Sequence, residues 1–339
     1  MSVEALRCHA LDLVERGATL LQRLQRPALH ASAPRTVFVL LGGGSRGAAQ
    51  AGALTALLEA GVVPDAIIGI SAGSWNGAYL SVEPSAERAR RLEALWLATT
   101  SHDIIGGPRW ASAFSLVAKR RSLYGSAGMR RVAARYLAGL EFVDLAVPLR
   151  IVAADLISGR AHLFADGCVL DAVMASSALP GVFPPVVGGD ELLADGGMAE
   201  WAGCLAALEL GATRICLVAC GAQRPSALKL RGVWQLIERS IDLAYRDNFN
   251  RSTFALRAAG VDVLPIFPET PACSLLDFDH AAELVEAGRA AAEEALSSAA
   301  AIAGPRCRSR WLRASPAPTP EVASAAPATT AASPAAQPA

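Results

Sequence analysis

Five short runs of apolar residues, at 36–41, 66–70, 149–154, 214–219 and 261–266, recur along this chain and are almost free of charge. A strand with one wet face alternates apolar and polar residues, whereas a continuously apolar strand must be covered on both faces. Between the runs lie helical patterns, for example at 47–59, 130–137, 230–257 and 279–297. Apolar strands alternating with helices predict an α/β fold, a three-layer α/β/α sandwich with a mostly parallel central sheet. In such a sheet ligands gather at the strands' C-terminal ends, so the turns leaving the strands are where chemistry is sought.

The 339 residues suffice for one large domain, and a composition that is 53% hydrophobic and 18% charged supplies its core. Thirty-one basic residues balance 31 acidic ones. This leaves no bulk electrostatic attraction for nucleic acid, and any membrane contact is local and peripheral. The seven cysteines lack metal-type spacing and lie mostly in apolar stretches, which reads as buried, reduced thiols and a cytoplasmic setting. No run of about 18 apolar residues suggests a membrane span, and the start lacks the basic-then-apolar order of a secretory signal.

Three regions follow. Residues 1–34 hold an amphipathic helix, with Leu6, Leu13, Leu20 and Leu24 near one face, and then a proline-bounded linker. This helix either packs on the main domain or lies in a membrane interface. Residues 35–304 form the α/β domain, and 305–339 form an Ala/Pro-rich tail expected to be disordered. The segment 111–128 joins apolar residues to Lys119, Arg120 and Arg121, and reads either as a lid or membrane-facing segment or as a core helix with a basic end.

Three turns carry candidate chemistry. The first apolar run ends in Gly42-Gly43-Gly44-Ser45-Arg46-Gly47, whose glycines free backbone N–H groups at a helix start to face a phosphate or an oxyanion. These letters also satisfy a dinucleotide fingerprint, but the acidic residue that pattern needs after the next strand is missing. The second run ends in Gly69-Ile70-Ser71-Ala72-Gly73, a G-x-S-x-G elbow that lifts a serine hydroxyl out of the sheet; the plainer alternative is a serine capping the next helix. The third turn is Asp195-Gly196-Gly197, either the site of a base or an ordinary Asp-Gly turn. Arg46, beside the first turn, suits a phosphate head group or a surface carboxylate.

In that order, the three turns resemble the signatures of patatin-like phospholipases. Two further stretches strengthen the likeness: Ala175-Ser176-Ser177-Ala178-Leu179-Pro180-Gly181, and Leu275-Leu276-Asp277-Phe278-Asp279 with Glu286-Ala287-Gly288. The resemblance implies a patatin-like α/β/α fold and a lipid acyl hydrolase of phospholipase A, lysophospholipase or esterase type. It implies Ser71 as nucleophile, Asp195 as base, Gly69 and Gly73 as the elbow, and Gly196 and Gly197 as supports of the aspartate. The first turn, Gly42, Gly43, Gly44, Arg46 and Gly47, becomes the expected oxyanion hole, with Gly43 and Gly44 as its foremost donors. No cofactor and no metal are expected, and the partner is a lipid or phospholipid substrate.

The family usually continues its Asp-Gly-Gly with an asparagine pair and a proline, where this chain has Met198-Ala199-Glu200-Trp201. Trp75 is also bulkier than the family's usual residue after the elbow. Two other readings stay open: a Ser-Asp-His hydrolase with His280 as base, since the chain order fits, and a lipid-binding module without turnover.

Overall fold

A computed structural model describes residues 35–106, 122–221 and 232–303. The amphipathic pattern before residue 35, most of the 111–128 segment and the Ala/Pro-rich tail lie outside the described residues.

The strands are β1 (Thr36–Leu40), β2 (Ala66–Ile70), β3 (Leu149–Asp155), β4 (Ala161–Phe164), β5 (Val186–Gly188), β6 (Glu191–Asp195), β7 (Arg214–Val218) and β8 (Asp262–Ile266). They form one sheet in the order β5-β6-β3-β2-β1-β7-β8, with β4 paired to β3. The five apolar runs are the parallel strands β3, β2, β1, β7 and β8. The antiparallel strands β4, β5 and β6 lie beyond them. The helices are α1 (Gly47–Glu59), α2 (Ala72–Ser81), α3 (Ala86–Ala98), α4 (Ser101–Ile105), α5 (Ala127–Leu137), α6 (Val169–Ser176), α7 (Glu200–Glu209), α8 (Val233–Ala258) and α9 (Ala281–Ala303).

Strand alternation divides the core into two layers. Phe38 and Leu40 of β1 pack with α1, α3, α5, α6 and α9 on one face, while Val37 and Val39 pack with α7 and α8 on the other. Every residue of β1 and β2 is buried, as continuous apolarity requires. Helix α1 is apolar nearly all round and is buried except at Glu59, so it is a central helix rather than a surface one. Its Gly52 and the facing Gly288 of α9 let the two backbones touch: a Cβ on Gly288 would lie 1.6 Å from the Ala49 carbonyl oxygen. Among the described residues no disulfide forms, but Cys168 is exposed, unlike the buried thiols expected from the sequence. Its position just before α6, at the surface end of a loop, removes it from the apolar layers.

Register explains how residues distant in sequence meet. β2 runs parallel to β3 and ends with Ile70 opposite Val152; β6 runs antiparallel and ends with Asp195 opposite Ala153. Their C-terminal ends therefore converge on consecutive residues of β3. The next residue after β2 is Ser71.

Candidate active site

Ser71 leaves β2 with φ 52° and ψ −122°, the only non-glycine residue at positive φ among the described residues. Holding a serine there is costly, and such strain at a strand-to-helix turn persists only where the surroundings enforce it. Gly73 permits the tight turn: a Cβ on it would lie 2.1 Å from the Leu40 carbonyl oxygen. The Ser71 N–H donates to Ser176 Oγ at 2.8 Å, and Ser176 Oγ donates to the Val152 carbonyl at 2.6 Å. The hydroxyl of Ser74 donates to the Ser71 carbonyl at 2.6 Å. Thus α6, β3 and α2 each hold the elbow.

The Ser71 hydroxyl does not cap α2; it donates to Asp195 Oδ2 at 2.6 Å. The other oxygen, Asp195 Oδ1, accepts the Gly197 N–H at 2.8 Å. Both carboxylate oxygens are therefore fixed, and Oδ2 faces the serine. Burial pushes the Asp195 carboxyl up to about 6, against the downward pull of these two hydrogen bonds. A carboxylate with this affinity for a proton is a better base than an exposed one, yet it remains ionised at neutral pH.

The glycine turn after β1 lies beside Ser71: a Cβ on Gly42 would be 3.1 Å from Ser71 Cβ. Several of the turn's N–H groups already have acceptors. Ser45 donates to the Leu275 carbonyl at 2.8 Å, Arg46 to the Gly43 carbonyl at 3.2 Å, and Gly47 to the carbonyls of Gly44 and Ser45. Gly44 sits at φ 59°, and a Cβ there would collide with the Leu275 carbonyl oxygen at 2.3 Å. The N–H groups of Ser45, Arg46 and Gly47 are thus spent on carbonyls of the turn and of Leu275, while those of Gly43 and Gly44 make no such backbone bond among the described residues.

The Arg46 side chain is also internal. It is 0% exposed, with Nη2 2.6 Å from Asp242 Oδ1 of α8 and Nη1 donating to the Gly221 carbonyl at 3.3 Å. Of the two roles expected from the sequence, pairing with a carboxylate is the one observed, but in the interior and not on the surface. Asp242 lies far along the chain in a polar stripe of α8, which also carries Glu238, whose Oε1 accepts from the Leu275 N–H at 2.8 Å. Helix α8 thereby braces both walls of the glycine turn.

Two titratable groups at the site escaped sequence reasoning. Glu200, at the start of α7, is buried; burial first, and the nearby Asp195 charge second, push it up to about 8. Both effects favour its neutral form. Tyr245 of α8 reaches the same cavity as Ser71 and Asp195. Ser176, Ser177 and Leu275 did carry a sequence signal, lying in the two further stretches of the resemblance. Glu200 stood out solely as a departure after Asp-Gly-Gly.

Ser71 and Asp195 open into a cavity of about 110 Å³ whose walls are mainly apolar, including Trp75, Tyr79, Leu92, Trp96, Val132 and Phe183. Trp75 fills one side and donates its indole N–H to Ser177 Oγ at 2.8 Å. His280 does not line this cavity. Its side chain is 38% exposed at the start of α9, 3.6 Å from Asp277 and 3.6 Å from Glu283. Replacing His280 with Ala is expected to leave kcat/KM within roughly a factor of two, the scale of an ordinary surface change; a loss as deep as that of a nucleophile variant would reinstate a histidine triad. Among the described residues, no cluster of His, Cys, Asp and Glu suited to a metal is present, and no helix is long and apolar enough to cross a membrane.

The family model "Patatin-like phospholipase" matches residues 38–208. Mouse patatin-like phospholipase domain-containing protein 6 is 29% identical over 208 residues, covering 59% of this chain and 15% of that protein. An uncharacterized NTE family protein of Mycobacterium tuberculosis is 30% identical over 160 residues, covering 47% of this chain and 26% of that protein. The chain thus spans a minor part of the length of these relatives. Among solved structures, VipD from Legionella pneumophila is similar with a TM-score of 0.43 and 13% identity, over 79% of this chain and 67% of that one.

Proposed function

This chain belongs to the patatin-like phospholipase family, and from that premise we propose that it is a lipid acyl hydrolase, cleaving carboxylic esters with Ser71 as nucleophile and Asp195 as its base. The observation that carries the reading is the 2.6 Å hydrogen bond from Ser71 Oγ to Asp195 Oδ2 at the mouth of an apolar cavity. A capping serine or a turn aspartate has no need of the other.

In the reaction, Ser71 Oγ attacks the ester carbonyl carbon as Asp195 Oδ2 takes its proton. The carbonyl oxygen becomes an oxyanion facing the N–H groups of Gly43 and Gly44, donors fixed before the charge appears and worth most in a dry site. Collapse breaks the bond to the alcohol, which leaves with the proton from Asp195. Water then attacks the acyl-serine, Asp195 again takes a proton, and the intermediate's collapse releases the fatty acid and returns that proton to Ser71. The apolar walls beside the elbow suit the acyl chain and keep water from competing with these charges. The substrate is drawn from a lipid surface or micelle by peripheral contact.

A non-catalytic lipid-binding module would have no use for a strained serine aimed at a buried carboxylate. The test is exposure of the full chain to a fluorophosphonate probe, with the modified peptide identified by mass spectrometry and fatty acid release from phospholipid vesicles followed in parallel. Labelling confined to Ser71, with release that the probe blocks, is expected. A folded protein that takes no label, or that releases fatty acid after complete modification of Ser71, would overturn the proposal.

A further inference from the structure

Tyr245 lies in α8, beyond the residues the family model matches, yet it lines the cavity with Ser71 and Asp195. Its hydroxyl sits between the two turns that carry the chemistry. A Cβ on Gly197 would be 2.6 Å from the Tyr245 oxygen and 3.0 Å from Asp195 Oδ1; a Cβ on Gly42 would be 3.5 Å from the same oxygen and 3.1 Å from Ser71 Cβ. Glycine at both places is what leaves room for the phenol. None of the hydrogen bonds among the described residues uses this hydroxyl as donor.

Its position is enforced by its own helix. Asp242, one turn before Tyr245, is tied to Arg46, and Phe249, one turn after, is packed in the core against Phe267 with ring centroids 4.9 Å apart. A tyrosine held between two anchored turns presents a fixed donor at little entropic cost when charge develops. Burial, and then the negative charge of Asp195, raise its pKa well above the ordinary phenol value. Both effects favour the neutral phenol, which keeps its proton as a hydrogen-bond donor at neutral pH.

Resting on the hydrolase reading above, we propose that Tyr245 is a third catalytic residue of this site, its hydroxyl donating a hydrogen bond to the oxyanion of the tetrahedral intermediate alongside the Gly43 and Gly44 N–H groups. Atoms balance as before, because Tyr245 transfers no proton. It shares one with an oxygen that carries charge only after Ser71 has attacked.

The test compares wild type with Tyr245→Phe, which removes one oxygen and keeps the ring that packs. Loss of an oxyanion donor is expected to lower kcat by roughly 10²-fold with KM little changed. The loss should be similar for p-nitrophenyl and alkyl esters, since both pass through the same oxyanion. A trifluoromethyl ketone, which forms a hemiketal oxyanion on Ser71, gives a readout that mere packing would not move: its 19F titration should show the hemiketal pKa rising in Tyr245→Phe. Equal hemiketal pKa values in both proteins would overturn the proposal while leaving the Ser71 reading intact. A loss confined to alkyl esters would also overturn it, placing the hydroxyl on the leaving group. Failure of the wild type to form any hemiketal would instead sink the serine hydrolase reading on which the proposal stands. Thermal unfolding of both proteins identifies a fall in activity that comes from misfolding, and the hemiketal titration is read on the folded fraction alone.

Discussion

Asp195→Asn is expected to lower kcat on ester substrates by roughly 10³-fold or more, the scale on which a general base and its proton return contribute. The amide has nearly the shape of the carboxylate, and its oxygen still accepts the Gly197 N–H that holds Asp195 Oδ1 at 2.8 Å. What it lacks is an oxygen able to take the Ser71 proton across the 2.6 Å contact. In wild type, kcat/KM should rise with pH through about 6, as Asp195 loses its proton, and this limb should vanish from the residual activity of the variant. Burial pushes Glu200 up to about 8 and the Tyr245 phenol above its ordinary range, so both titrate above Asp195, and Arg46 is ion-paired with Asp242. An Asn variant that keeps more than about a tenth of wild-type kcat would show that another group is the base.

Stability should move the opposite way. Because burial raises the folded carboxyl from 3.8 to about 6, the folded state binds more protons than the unfolded state between these values. Stability therefore falls as pH rises through that window and stays lower above it. Asp195→Asn removes this cost, so the variant should unfold at a higher temperature than wild type at pH 8 and at a similar one near pH 4. A base held dry and charged beside a serine costs stability for activity.

What could be read in the chain beforehand divides by the range of the forces involved. The parallel strands were visible because burial on both faces leaves a local mark, continuous apolarity. Ser71 and Asp195 were visible because each needs glycine neighbours within two residues, and a tight turn writes itself into adjacent letters. The brace behind them was not. Arg46 and Asp242 are 196 positions apart, and nothing in Gly44-Ser45-Arg46-Gly47 distinguishes an arginine turned inward from one facing solvent. Tyr245 is equally silent, since α8 reads as an ordinary amphipathic helix whose polar stripe, from Glu238 through Asp242, turns out to be buried against Leu275 and Arg46 and not to face water. Local patterns thus disclosed the serine and the aspartate that meet in the fold. The residues that hold and complete the site depend on contacts made only after the sheet has assembled.

Arg46→Ala is expected to destabilise the fold by about 3–5 kcal/mol, the cost of leaving a buried charge without its partner. Asp242 is 1% exposed and its Oδ1 would lose the guanidinium 2.6 Å away, while the Gly221 carbonyl would lose a donor. At this chain size the thermal midpoint should drop by on the order of 10 °C. The double change Arg46→Met with Asp242→Leu should recover most of the loss, because two apolar side chains of similar bulk in a dry site carry no desolvation penalty. This outcome separates the observed internal role from the phosphate-binding role that Arg46's neighbourhood suggests in the sequence. A head-group ligand would leave unfolding unchanged when removed and would raise KM for phospholipids but not for neutral esters. If the single variant unfolds like wild type, the ion pair does not brace the turn. If the double variant is as unstable as the single one, what matters is the geometry of the Arg46 fork across Asp242 and Gly221, with charge pairing secondary. In either stable background the glycine turn should keep its shape only as far as α8 still holds it. Loss of kcat in a well-folded double variant would therefore mean that the pair positions the oxyanion donors as well as stabilising the protein.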